Sequence, residues 1–241
     1  MAFIQASIIR KDFGEEGKGF KITMSAFDHG RVCGCIRRDV SYALERKNKM
    51  LDYQSVREKK ATVQDLVKGL TKDDLRRELN EMYDELQRRI GNVTDADVIF
   101  EPVDPDANDP HAVEGEEKLP WTLGHVIVHL TASMEEAASV SQELARGVEY
   151  HGRSRWEVPF RRAKTIAFCR ARLEESRRMS LAALHMWPDT PHLDNTFSLA
   201  LGTPSYTAIS RFALGLKHAS DHLEHISKIL RQAKEAAHAK I

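Results

Sequence analysis

The sequence predicts an all-α fold, a four-helix bundle with an N-terminal extension. Apolar residues recur at helical spacing in four long stretches after residue 70. Capping residues, glycines and prolines punctuate those stretches, and no alternating strand pattern lies between them. The chain has 241 residues, 41% of them hydrophobic, which suits a globular domain with an extension. Residues 1–60 read as the extension, irregular or poorly ordered, and residues 61–241 as the bundle.

Residues 1–50 are rich in glycine and hold no helical period. Short pieces at 20–24 and 32–36 have strand composition, so a small hairpin competes with an extension lacking fixed structure. The first helix, 72–90, opens with Thr71 as N-cap and Asp74 three residues on. Leu75, Leu79, Met82, Leu86 and Ile90 follow on one face, and Gly91 stops it. Residues 91–120 form a long connection broken by four prolines. The second helix spans 122–146 and ends at Gly147. A second connection, 148–159, mixes aromatic and basic residues. The third helix runs over 161–187, stopped by Pro188, and the fourth begins with Thr203 or Ser205 as N-cap and reaches about residue 234.

Lys plus Arg and Asp plus Glu number 36 each, so the formal net charge is zero. That argues against a general nucleic-acid binder, which carries an excess of base. The balance is a cancellation. Residues 91–118 carry nine acids and one base, and residues 151–181 carry nine bases and three acids. The acidic connection is therefore expected to fold towards the third helix. The apolar runs are far shorter than the roughly 20 residues of a membrane span. Asp12, Glu15 and Glu16 near the N-terminus, without an apolar signal segment, and three cysteines without a disulfide pattern point to the cytoplasm.

Histidine carries the chemistry. His125 and His129 are four apart on the second helix, and His218 and His222 are four apart on the fourth, with His225 beyond. Residues at i and i+4 share a helix face, so two imidazoles so placed can grip one metal ion. On a helical wheel His222 lies about 40° and His225 about −20° from His218, flanking an apolar face centred near about 110–120°. A lone interior histidine is usually a hydrogen-bonded core residue. Two such pairs on two helices of one bundle favour a metal. His218, Asp221 and His222 match the spacing of an inverted zincin motif, but Asp221 falls on the charged side of the helix, which argues against a peptidase of that class.

Trp121-Thr-Leu-Gly-His125-Val-Ile-Val-His129-Leu130 resembles the start of the second helix in the DinB-like superfamily, and His218-Ala-Ser-Asp-His222-Leu-Glu-His225-Ile226 resembles its fourth. The resemblance covers about residues 70–235. It implies an up-down-down-up DinB-like topology with one divalent transition metal (Zn, Ni, Fe or Mn) on His129, His218 and His222. His125 stands where the family often has Glu, and His225 where it has Gln. Characterised members include thiol-dependent S-transferases, and others are described as metal-dependent hydrolases. The resemblance thus implies a small-molecule substrate, with a low-molecular-weight thiol or a water ionised at the metal. A non-catalytic metal-binding or stress-response bundle is the alternative. His125, His225, Glu136 and Arg211 are candidates for supporting the site from behind, no catalytic residue is assigned, and a homodimer is compatible with such a bundle. Neither nucleic acid nor membrane is expected as a partner.

Overall fold

The computed structural model describes residues 50–109, 112–198 and 204–239. The strands considered at 20–24 and 32–36 lie outside them, as do Cys33 and Cys35. The described residues form seven α-helices: α1 (Tyr53–Arg57), α2 (Val63–Leu66), α3 (Lys72–Arg89), α4 (Asp95–Val98), α5 (Leu123–Ala145), α6 (Ile166–His185) and α7 (Ala208–His238). A 3-10 turn, Phe160–Arg162, precedes α6. The only sheet described is a two-residue antiparallel pair, β1 (Phe197–Ser198) with β2 (Ser205–Tyr206), in which Phe197 faces Tyr206. The all-α class holds. None of these helices is long and apolar enough to cross a membrane.

Threonine sets most of the helix starts. Thr62, Thr71 and Thr94 each accept a hydrogen bond from the backbone N–H of an Asp three residues on, and that Asp carboxylate accepts from the threonine's own N–H. Two helix starts differ from the sequence reading. α6 starts at Ile166 rather than 161, because Thr165 caps it by accepting from the Phe168 N–H. The preceding turn is held elsewhere: the Ala163 carbonyl presses so closely on Gly124 that a Cβ there would lie 2.2 Å from it. α7 starts at Ala208, because Ser205 and Tyr206 are engaged in the strand pair and Thr207 supplies the cap. The 91–120 connection also holds a helical turn, α4, that the prolines did not suggest.

The four long helices share one apolar core. α5 packs on α6 and α7, and α3 packs on the same two. Leu79, Met82 and Leu86 of α3, Leu130 and Met134 of α5, Leu173 of α6, and Phe212 and Leu216 of α7 are all fully buried. α5 and α7 come especially close at Gly215, where an added Cβ would lie 2.5 Å from the Ala137 Cβ. Residues 50–60, assigned to the extension from sequence, pack on these helices. Tyr53 is in the core, the Leu51 N–H donates to the Glu78 carboxylate, and Arg57 donates to Ser220 and Asp221 on α7.

The acidic connection meets the basic segment near both of its ends. Glu116 pairs with Arg161 at 2.5 Å, and Asp95 accepts the Ile166 N–H at 2.8 Å. Asp104 turns instead to Lys228 on α7. Arg172 and Arg177 pair with Glu135 of α5 and Asp84 of α3, acids outside that connection.

Candidate metal centre

Two helices supply the imidazoles. His129 lies on α5, and His218 and His222 lie one turn apart on α7. One nitrogen from each of the three falls within 4.8 Å of those of the other two. The close approach at Gly215, one turn before His218, brings the two backbones near enough for this. His129 Nε2 and His218 Nε2 stand 3.3 Å apart. In a tetrahedral zinc site with nitrogens about 2.0–2.1 Å from the ion, neighbouring nitrogens are separated by about 3.3–3.4 Å. The observed spacing therefore fits a shared cation. Among the described residues the buried His218 Nδ1 has no hydrogen-bond partner, so the cluster does not satisfy itself.

The electrostatics suit metal binding. Burial, and then the neighbouring imidazoles, push His218 down to about 4 and push His222 down as well. Both are neutral at pH 7, and neutral imidazole is the form that ligates a metal.

His125 and His225 stand beside this trio around Trp121. The His125 ring is stacked between Trp121 at 4.4 Å and Phe160 at 4.2 Å. His225 lies 6.0 Å from Trp121 and 5.8 Å from His222. Burial pushes the pKa of each below its ordinary value. Trp121 also packs 4.5 Å from His129, so one indole touches the rings of both helices.

Glu136 and Arg211 meet each other, 4.0 Å apart, two helical turns from the imidazoles. Glu136 is buried and takes two 2.7 Å hydrogen bonds from Arg153. Burial raises its pKa, but the pairing with Arg153 and the nearby Arg211 and Arg155 outweigh this and hold the carboxyl below its usual range. Arg211 is buried, and its Nε has no partner among the described residues.

The side chains that do touch His129 from behind come from the 148–159 connection. Arg155 donates to Ser133 Oγ at 2.6 Å, to the His129 carbonyl at 3.2 Å and to Glu157 at 2.5 Å. Glu157 Oε2 lies 3.4 Å from His129 Nδ1. Arg155 and Glu157 were not singled out from the sequence. The signal was their alternation, with Arg153, Arg155 and Glu157 two apart in a stretch with no helical period.

Compared with known proteins, the chain matches no family model, no curated protein and no solved structure. The fold and site thus define a helical protein with a three-histidine cluster able to hold a metal ion.

Proposed function

We propose that the protein is a divalent-metal-dependent enzyme of the DinB-like class, working in the cytoplasm on a small molecule. The observation that carries this reading is the convergence of His129, His218 and His222 from two helices. Helix directions support an up-down-down-up four-helix bundle. Tyr83 meets Ser176 while Gln87 meets Arg170, so α3 and α6 run opposite ways. Gly124 meets Ala163 while Glu135 meets Arg172, so α5 and α6 run the same way. His129 meets His218 while Glu136 meets Arg211, so α5 and α7 run opposite ways.

The three imidazoles would hold a zinc, nickel, iron or manganese ion. Bound there, it would supply the Lewis acidity for ionising a small thiol, for S-transfer, or a water, for hydrolysis. Trp121, with His125 and Phe160 stacked behind it, walls one side of the cluster and limits the water that reaches it. Arg155 binds the backbone carbonyl of His129 and holds that turn of α5 in place.

The test is turnover by the metal-loaded protein, with small thiols plus electrophiles in one series and esters and amides in the other. Turnover that requires added divalent ion and is lost in His222→Ala supports the reading. A protein that binds metal but turns over neither series is a non-catalytic metal-binding bundle.

A further inference from the structure

Residues 153–157 form an extended strap along α5. Arg153 reaches Glu136, Arg155 reaches Ser133 and the His129 carbonyl, and Glu157 reaches His129 Nδ1. The residues that reach α5 are every second one, as in an extended chain. Trp156, between the last two, is 69% exposed. Four extended residues span about 13 Å, enough to cover the rise of about 10 Å over the seven helical residues from Glu136 back to His129. The strap therefore runs antiparallel to α5 in register with it, and its end delivers a carboxylate to the rear nitrogen of His129.

That rear nitrogen decides what the front one can do. His129 Nε2 faces His218, so it must carry a lone pair to bind a cation. Neutral imidazole has one N–H, so the proton must then sit on Nδ1. Arg155 also comes within 3.3 Å of Nδ1, but a guanidinium only donates and cannot receive that proton's bond. Glu157 can. Arg155 donates to the same Glu157 oxygen, which fixes the carboxylate in place and balances its charge.

We propose that Glu157, clamped by Arg155, is the positioning residue of the metal centre: it accepts the His129 Nδ1–H and so fixes the ring orientation and the tautomer that leaves Nε2 free for the ion. This rests on the metal reading above and extends it to a segment outside the histidine helices. Carboxylate partners of this kind make a ligand histidine more basic and typically change metal affinity by about 10–100-fold.

The experiment measures zinc(II) and cobalt(II) affinity by competition with a chelator for wild type, Glu157→Ala and Glu157→Gln. It also follows the histidine ring nitrogens of the metal-free proteins by 15N NMR. Wild type should show His129 with its proton on Nδ1. Glu157→Ala should lose about 10–100-fold in affinity and show a mixture of His129 tautomers. Glu157→Gln keeps a neutral acceptor, so it should fold as wild type does and lose less. Affinities within twofold of wild type in both variants, with the His129 tautomer unchanged, overturn the proposal. Failure of wild type itself to bind either ion removes the metal reading, a distinct outcome that takes this proposal with it.

Discussion

Gly215→Ala tests whether the three-histidine cluster depends on the close approach of α5 and α7. The added Cβ would lie 2.5 Å from the Ala137 Cβ and 2.9 Å from the Met134 sulfur. Met134 has rotatable bonds and can move aside. The Ala137 Cβ is fixed to the α5 backbone and cannot. Carbon atoms prefer a separation of about 3.5–4.0 Å, so the helices must part by about 1 Å. Overpacking of this kind costs about 1–3 kcal/mol, and the rigid obstacle puts this case near the upper end. Alanine in a helix interior regains about 1 kcal/mol over glycine. The net loss is about 2 kcal/mol, or about 4–8 °C in Tm for a unit of this size. His218 lies one turn further along α7, so parting the helices also widens its 3.3 Å separation from His129. Urea denaturation of the metal-free protein and a zinc competition titration read the two effects. A variant as stable as wild type, with unchanged zinc affinity, would refute the reasoning.

Two further outcomes are expected. Burial pushes the Glu78 carboxyl up to about 7, so its native form holds a proton that the unfolded chain releases above about pH 4.5. The stability this gives is full at low pH and is lost as pH rises through 7; Glu78→Gln, free of that loss, should gain about 1–2 kcal/mol on wild type between pH 5 and pH 8, after allowance for solvent screening. Urea denaturation at the two pH values checks it, and a wild-type-to-variant difference that does not change with pH would contradict it. Trp121 lies 4.4–6.0 Å from four imidazoles, so cobalt(II) or copper(II) should quench its fluorescence. Trp121→Phe should lose most of the metal-dependent quench, and a full quench in that variant would place the ion elsewhere.

Much of the fold was legible because its signals are local. Thr71 with Asp74, and the apolar residues from Leu75 to Leu86, define α3 within one residue of its observed end. Thr122 and Gly147 bracket α5 in the same way. The start of α6 was missed although its cap, Thr165, is local; the contact between Ala163 and Gly124 in the turn before it is not. α4 repeats the Thr–Asp pattern of α3 at Thr94 and Asp97, a signal outweighed by the surrounding prolines. The three imidazoles could be anticipated, since i,i+4 spacing fixes a shared face and the helices bring the faces together. For Arg155 and Glu157 the alternation was a signal of an extended stretch, but nothing in an irregular connection says which helix it will lie along. Glu136 and Arg211 did face one way with the histidines, but two turns of rise carried them into an ionic cluster of their own.

Metal content of the purified protein tests the central claim most directly. After zinc loading and desalting, wild type should hold about one ion per chain, and the variant carrying His129→Ala, His218→Ala and His222→Ala should hold none. Full retention of the ion by that triple variant, or no ion in wild type, would contradict a three-histidine metal centre.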